Sequence, residues 1–113
     1  MKRFARGRRR VAGVKNKTEQ SFEDTFLRGK PHGFEEITLK LADDCRYTPD
    51  YWVLDDDDVL AFEEVKGFWR DDAKVKIKLA AKLFPQFRFR AWSLKNRVWA
   101  RELFGPDDVE AIP

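Results

Sequence analysis

Three side chains on two neighbouring segments have the types and spacing of a metal-dependent hydrolytic site. Asp50 follows Pro49, and Glu64 and Lys66 lie two residues apart further along the chain. Because side chains alternate between the two faces of a strand, Glu64 and Lys66 are expected to point the same way. Asp50 can share that face if a turn falls within residues 54–58. Two carboxylates bind a hard divalent cation through oxygen, and the lysine places a positive charge beside it.

The residues around these three extend the pattern. The full string is Tyr47-Thr48-Pro49-Asp50, then Glu64-x-Lys66-Gly67-Phe68-Trp69, then Asp71-Asp72 and a lysine-rich helix. It resembles the motif of the PD-(D/E)xK nuclease superfamily. Over residues 15–93 the chain is similar to the phage endonuclease I group, which cleaves four-way DNA junctions, and to small phage and prophage proteins with the same string. The resemblance implies a Mg²⁺-dependent endonuclease acting on DNA, with Mn²⁺ as a possible substitute and branched DNA as the favoured substrate.

The same resemblance assigns roles to residues. It implies that Asp50, Glu64 and the backbone carbonyl of Val65 bind the metal. Lys66 is then expected to orient the attacking water or to stabilise charge on the phosphate. Asp50 and Glu64 are fourteen residues apart, more than in the phage resolvases. An even number of added residues leaves each side chain on its own face of the sheet.

The superfamily places a further glutamate on the first helix. Glu19 matches that position best, and Glu23, one turn along, is the rival. A homodimer is also implied, since two symmetric cuts in a junction need two sites. Because fold does not fix function, two alternatives stay open. One is a non-catalytic DNA-binding or inhibitor protein on a nuclease scaffold, and the other is an interaction subunit that docks on an acidic partner.

Positive charge is concentrated at the N-terminus. Residues 1–17 carry eight cations and no acid, which leaves 15 cations against 20 acids in the rest of the chain, a net charge of −5. Such an arm indicates contact with nucleic-acid phosphates, and a solubilising tail is the plainer alternative. We therefore expect a flexible basic arm at 1–17 and a single nuclease-like domain at 18–113. The arm residues expected to contact DNA are Lys2, Arg3, Arg6, Arg8, Arg9, Arg10, Lys15 and Lys17.

Other side chains near the motif have two interpretations each. Trp69 could stack on a base or pack on a helix, and Lys74 belongs to a lysine stripe that could meet DNA or water. Arg88 and Arg90 share a strand face and could contact phosphate or cover the sheet. His32, between a proline and a glycine, is expected in an exposed turn. Glu63 is expected to face away from the site as a surface or second-layer residue.

Bulk properties set the broad class. A chain of 113 residues is expected to form one domain. It has no apolar run near the ~20 residues that span a membrane, and its basic N-terminus lacks the apolar segment of a secretory signal. Its single cysteine cannot form an internal disulfide or a zinc site, which favours a reducing cytoplasm.

Periodicity predicts the order of the elements. A helix is expected over residues 19–28 with Thr18 as its N-cap, then strands at 36–41, 46–54 and 59–66. A second helix is expected from an Asp71 or Asp72 cap to about residue 84, and a strand at 86–93. The segment 96–104 could be a helix or a strand. This order predicts an α/β fold with a mixed four-stranded sheet, which agrees with the α-β-β-β-α-β, restriction-endonuclease-like core that the resemblance implies.

Overall fold

The computed structural model describes residues 13–66 and 71–105, without the side chains of 71–73. Within these ranges the protein is mixed α/β, with a five-stranded sheet, a two-stranded sheet and two helices. The elements are, in chain order, α1 (Lys17–Phe22) with a π-helical continuation (Glu23–Leu27), β1 (His32–Phe34), β2 (Leu39–Ala42), β3 (Cys45–Tyr47), β4 (Tyr51–Leu54), β5 (Leu60–Lys66), α2 (Asp71–Leu83), β6 (Arg88–Lys95) and β7 (Val98–Phe104).

Helix α1 begins earlier than predicted because Asn16, rather than Thr18, is its N-cap. The Asn16 side chain accepts a hydrogen bond from the Glu19 amide at 2.8 Å, and the Glu19 carboxylate accepts one from the Asn16 amide at 3.0 Å. This reciprocal pair is a capping box, which needs a three-residue spacing. Thr18 lies inside the first turn instead. The helix then widens into a π-helical turn that ends at Leu27, one residue before the predicted end.

The main sheet has the strand order β1-β4-β5-β6-β7. Strand β5 is antiparallel to β4 and parallel to β6, and α2 makes the crossover between β5 and β6. The mixed sheet was predicted, but it has five strands rather than four. The sheet gains β1, formed where an exposed turn was expected, and β7, and it loses the strand predicted at 36–41. His32 is therefore a strand residue, paired with Val53.

The predicted strands at 36–41 and 46–54 differ from the structure in two respects. Residues 39–42 pair with β3 in a separate two-stranded sheet and do not join the main sheet. The segment 46–54 divides into β3 and β4 on either side of Pro49. A proline has no N–H for the ladder, so it interrupts a strand inside a sheet. This interruption lets β3 leave the main sheet while β4 stays in it.

Two apolar layers cover the two faces of the main sheet. On one face, the α2 stripe Ile77, Ala80 and Ala81 packs against Phe62 and Phe89 of β5 and β6. On the other face, residues of α1 and its π-helical continuation pack against β4, β5 and the tryptophans of β6 and β7. The residues buried on this second side are Phe22, Leu27, Tyr51, Val53 and Val65. The predicted α2 stripe is confirmed, except that Phe84 is only partly buried.

The segment 96–104 is a strand. Asn96 and Arg97 have φ values of 53° and 64° and connect β6 to β7 by a tight hairpin. Positive φ at both central residues is the requirement of a type I′ turn, whose twist matches that of paired strands. No helix among the described residues has the length and apolar character needed to cross a bilayer.

Candidate active site

The candidate site lies where β4 and β5 stop pairing. Tyr51 of β4 is opposite Glu63 of β5, and the antiparallel ladder ends there. Asp50 comes one residue before β4, so it is opposite Glu64. Pro49 redirects the chain at this point, and the last residues of β5 then pair with β6 alone. Glu64 therefore lies at the carboxyl end of a central strand, beside a segment that is turning away.

Side chains hold the two segments together beyond the end of the ladder. Glu64 Oε1 accepts a hydrogen bond from the Asp50 amide at 3.0 Å. In return, Asp50 Oδ2 accepts one from the Val65 amide at 2.8 Å. The Tyr47 hydroxyl also donates to Glu64 Oε1, at 3.1 Å. One oxygen of each carboxylate is thus held by a backbone amide of the opposite segment, which fixes the orientation of both carboxylates.

The two carboxylates are buried side by side. Asp50 is 4% exposed and Glu64 is 7% exposed. Burial raises the pKa of Asp50, and the negative charge of Glu64 raises it further, while Lys66 and the Val65 amide oppose the change. Burial also raises the pKa of Glu64, against the opposing effects of Lys66, the Asp50 amide and the Tyr47 hydroxyl. Two neighbouring carboxylates that resist ionisation together are stabilised as anions by an added cation.

Lys66 lies on the same face as Glu64, as the strand alternation predicted. Its Nζ is 3.4 Å from Glu64 Oε2, and its side chain is 36% exposed. The amine therefore has one side against the carboxylates and the other open to solvent. This is the position from which a lysine can meet a group that approaches from outside.

Glu19 is close to this pair, but its carboxylate has a structural task. It is 2% exposed, and it accepts the Asn16 amide in the capping box. Its charge also contributes to the raised pKa of Asp50, which places the two groups near each other. Among residues 13–66 and 71–105, however, no three Asp, Glu, His or Cys side chains are grouped as a set of metal ligands. The described geometry thus brings together Asp50 and Glu64, and Glu19 is near enough to Asp50 to affect its pKa.

The rival glutamate is part of a different cluster. Glu23 lies 2.6 Å from the Lys15 amine and 3.3 Å from His32 Nε2, and it accepts a hydrogen bond from the Tyr51 hydroxyl at 3.1 Å. Burial alone would raise the pKa of Glu23, but these three partners outweigh it and lower the pKa below its ordinary value. Glu23 therefore contacts Lys15, His32 and Tyr51, and it does not belong to the Asp50–Glu64 pair.

The predicted DNA-contacting residues fall into three groups. Lys15 pairs with Glu23 and also lies 5.6 Å from the centre of the Phe34 ring, and Lys17 is the exposed first residue of α1. The amine of Lys74 is 3.1 Å from a carboxylate oxygen of Glu102 on β7. The remaining predictions lie outside the described residues; these are Lys2, Arg3, Arg6, Arg8, Arg9, Arg10 and Trp69.

Sequence reasoning missed a second charged cluster on the opposite face of β5. Glu63 faces away from Glu64 as predicted, but it is 1% exposed, so of the two predicted positions, surface or second layer, the surface position is wrong. Glu63 Oε2 accepts Arg90 Nη1 at 2.6 Å, and Oε1 accepts the indole N–H of Trp92 at 2.7 Å. Arg90 and Arg88 both also pair with Asp55 in the β4–β5 turn. The two arginines therefore use protein carboxylates as their partners. The one available signal was the alternation that puts Glu63, Arg88 and Arg90 on one face.

Comparison of the chain with protein-family models, with curated proteins and with solved structures finds no match.

Proposed function

We propose that this protein is a divalent-cation-dependent nuclease that hydrolyses phosphodiester bonds in DNA. The observation that carries the proposal is the buried Asp50–Glu64 pair, with Lys66 at its solvent side. Carboxylate oxygens are the ligands that Mg²⁺ and Mn²⁺ take in proteins, and Mg²⁺ retains several waters, so it needs few protein ligands. The donor set therefore fits a hard cation. A restriction-endonuclease-like arrangement of the sheet and helices is part of the same proposal.

Each residue has a task in this proposal. Asp50 and Glu64 would hold the cation, together with the Val65 carbonyl, and Glu19 would assist. A cation bound there would lower the pKa of a water and neutralise charge on the scissile phosphate. The amide hydrogen bonds to Asp50 and Glu64 keep both carboxylates in position before substrate arrives, so little reorganisation is needed. Lys66 meets the phosphate from the solvent side and stabilises the charge that develops on it.

The substrate is proposed from charge and from the motif. The first 17 residues carry eight cations, which suits contact with phosphates and provides affinity without sequence preference. The motif's similarity to the phage junction-cleaving group favours branched DNA, and paired cuts in a branch favour a homodimer.

A cleavage assay with matched variants tests the proposal. Purified protein is incubated with a junction, a flap, a duplex and a single strand of DNA, with Mg²⁺, with Mn²⁺ or with excess chelator. We expect cleavage with either metal and none with chelator. Asp50→Asn should abolish cleavage and leave the fold intact, whereas Asp44→Asn, at an exposed turn residue, should cleave like wild type. Turnover in chelator would refute the metal mechanism. DNA binding without cleavage in every metal would favour a non-catalytic DNA-binding protein instead.

A further inference from the structure

Strand β7 leaves one edge of the main sheet open. The strand order ends at β7, so within residues 13–66 and 71–105 its outer side has no hydrogen-bonded neighbour. The opposite edge, β1, is 3 residues long, and a short edge strand is one way in which proteins prevent unwanted pairing. Strand β7 has 7 residues, contains no proline and pairs with β6 without a register shift. It therefore has the length and regularity to pair with another strand.

The β6–β7 hairpin determines which backbone groups of β7 point outward. Lys95 and Val98 flank its two-residue turn, and the pair that closes such a turn is hydrogen-bonded. Bonded and non-bonded pairs alternate along an antiparallel ladder, so every second residue after Val98 also directs its N–H and C=O groups at β6. The backbone groups of the residues between them, Trp99 and Arg101, therefore point away from the sheet.

A second copy of the chain can pair with this edge in few ways. A two-fold axis perpendicular to the sheet makes the two β7 strands antiparallel and places one residue opposite its own copy. Pairing most of the 7 residues of β7 requires that this residue be Ala100, Arg101 or Glu102. The second and third choices place like charges directly opposite each other, which is destabilising. The register centred on Ala100 avoids this.

This register also matches the backbone groups of the two strands. Trp99 would lie opposite Arg101 of the second copy, and both residues direct their N–H and C=O groups at the open edge. Such a pair exchanges two hydrogen bonds, and the two-fold axis produces the pair twice, which gives four bonds between the strands. Ala100 has a small side chain, so the strands can approach closely at the axis.

The side chains that would meet in this register are complementary. On the α1 face, the Arg101 guanidinium lies 5.7 Å from the centre of the Trp92 ring, and Trp99 of the second copy would lie on the side of Arg101 away from β6. A guanidinium favours aromatic neighbours. On the α2 face, Val98 is 65% exposed, and Glu102 of the second copy would cover it. Burial of this exposed valine would stabilise the paired strands.

We propose that this protein forms a homodimer in which the β7 strands of two copies pair antiparallel, centred on Ala100. The inference names the surface of the homodimer proposed above and rests on that part of the proposed function. It uses none of Asp50, Glu64 and Lys66, so dimerisation and cleavage can fail separately. The two β5 strands would be five strand spacings apart, which puts the two Asp50–Glu64 pairs at least about 24 Å from each other.

Sedimentation equilibrium of the full chain tests the interface. An interface of this small size predicts a dissociation constant of about 10 to 100 µM. Val98→Glu places a second acid opposite Glu102 at two points of the dimer, so it should weaken dimerisation by about tenfold. Val98→Lys places an opposite charge there and should strengthen dimerisation by about threefold. Val75→Glu, at a position of α2 that is 60% exposed, is the control and should change it by less than about twofold.

The two Val98 variants also separate dimerisation from folding. Within one chain Val98 is opposite Lys95, so the glutamate should favour the hairpin and the lysine should oppose it. The expected order of monomer stability is therefore the reverse of the expected order of dimer stability. Loss of the fold cannot produce the predicted result, and thermal unfolding at a concentration where the protein is monomeric measures the first order.

Amide hydrogen exchange followed by NMR locates the interface. The Trp99 and Arg101 amides should exchange slowly in the wild-type dimer and rapidly in Val98→Glu at a concentration where that variant is monomeric. The Ala100 and Glu102 amides, which are directed at β6, should exchange slowly in both. This alternation is specific to pairing at the β7 edge, because a dimer formed through another surface would leave the Trp99 and Arg101 amides unprotected.

Three results would overturn the interface. They are a chain that stays monomeric up to about 1 mM, equal dimerisation of the two Val98 variants, and Trp99 and Arg101 amides that are already protected in the monomer. The last result would mean that another part of the chain covers the edge. Metal-dependent cleavage by a wild-type chain that stays monomeric would reject the interface and leave the nuclease proposal standing. A β7-paired dimer that cleaves no DNA in any metal would do the reverse.

Discussion

Glu63 and Glu64 are neighbours on β5 with nearly the same burial, and their surroundings differ. Glu63 receives hydrogen bonds from Arg90 and from the Trp92 indole. Glu64 lies against a second carboxylate, that of Asp50, with Lys66 at the solvent side. Burial raises the pKa of both glutamates. What distinguishes them is therefore the kind of group that each carboxylate meets, and not the depth at which it lies.

The contrast indicates two different uses for a buried carboxylate. On the Glu63 side, two arginines connect β5, β6 and the turn that carries Asp55. Removing one member of a buried ion pair costs much more than the pair contributes, because the remaining charge is buried without its partner. We infer that such a network favours one arrangement of these strands over its alternatives. On the Glu64 side, two adjacent carboxylates repel each other, which costs stability and favours a bound cation.

The largest effects are expected from replacing each glutamate by glutamine, because one variant should lose cleavage and the other should lose stability. Glu64→Gln keeps the acceptor for the Asp50 amide and the Tyr47 hydroxyl while removing the charge, so we expect cleavage to fall by at least about 10³-fold with no loss of stability. Glu63→Gln should cost about 3 kcal/mol in the free energy of unfolding, because Arg90 loses a charged partner, and should cleave normally where it is folded. Denaturant unfolding and cleavage rates measure the two outcomes. The comparison fails if the two variants lose the same property.

Replacing Lys66 should reduce the rate of cleavage and leave the stability of the fold almost unchanged. Its side chain is 36% exposed, so Lys66→Ala should change the free energy of unfolding by less than about 1 kcal/mol. The rate should fall by about 10²-fold, which corresponds to losing one positioned charge. Lys78→Ala, at an exposed position of α2, is the matched control and should cleave like wild type. A Lys66→Ala variant with normal turnover would show that Lys66 has no role in the reaction.

Binding of a cation to Asp50 and Glu64 should be measurable as an increase in the stability of the fold, without any assay of activity. In the folded protein the pKa values of Asp50 and Glu64 lie above their ordinary values of 3.8 and 4.5. The folded state therefore retains protons that the unfolded chain has released. This stabilisation is fully present below the ordinary values and is lost as the pH rises through the raised ones. A cation competes with those protons, so it should stabilise the protein more at pH 8 than at pH 5.

The expected size follows from mass action. At pH 8, Mg²⁺ at ten times its dissociation constant should add about 1.4 kcal/mol to the free energy of unfolding. Thermal unfolding with and without Mg²⁺, at pH 5 and at pH 8, measures the difference. Asp50→Asn removes one of the two carboxylate charges, so Mg²⁺ should no longer increase the variant's free energy of unfolding at pH 5 or at pH 8. Equal increments at pH 5 and pH 8 would mean that Mg²⁺ binds somewhere other than this pair.

How far the sequence could predict these features depends on how local their causes are. The alternation in β5 correctly placed Glu64 and Lys66 on one face, and the α2 stripe was visible in the spacing of Ile77, Ala80 and Ala81. The cap at Asn16 was also readable, because Asn16 and Glu19 have capping-box spacing. Thr18, the predicted cap, lies too close to Glu19 to form that box.

The features that could not be predicted have distant partners. Glu63 is buried because Arg90, 27 residues away, pairs with it. His32 is in a strand because Val53 pairs with it across the sheet, although its neighbours Pro31 and Gly33 are typical of a turn. The alternation at 39–41 was real, but which sheet it joins was decided by the interruption at Pro49. In each case the local pattern identified the element or face, and the tertiary pairing decided its place.

The smallest effect should come from the Tyr47 hydroxyl. It donates to Glu64 Oε1 at 3.1 Å, and this hydrogen bond lowers the pKa of Glu64 against the effect of burial. Tyr47→Phe should cost about 1 kcal/mol of stability, the net value of one buried hydrogen bond. It should also raise the pKa of Glu64 further, so Mg²⁺ affinity should weaken by a few-fold, and this loss should become smaller as the pH rises.

Tyr51→Phe is the matched control for this variant. The single hydrogen of the Tyr51 hydroxyl is shared by two acceptors on the α1 side of the sheet, the Glu19 carbonyl and Glu23 Oε1, each 3.1 Å from the hydroxyl oxygen. Its loss should reduce stability about as much as Tyr47→Phe, since each variant removes one hydroxyl donor. Mg²⁺ affinity should stay unchanged, because the two acceptors, the Glu19 backbone carbonyl and the Glu23 carboxylate, are not groups proposed to bind the cation. If both variants weaken Mg²⁺ binding equally, the effect comes from general loosening of the sheet. A loss confined to Tyr47→Phe would show that the hydroxyl acts on the cation through Glu64.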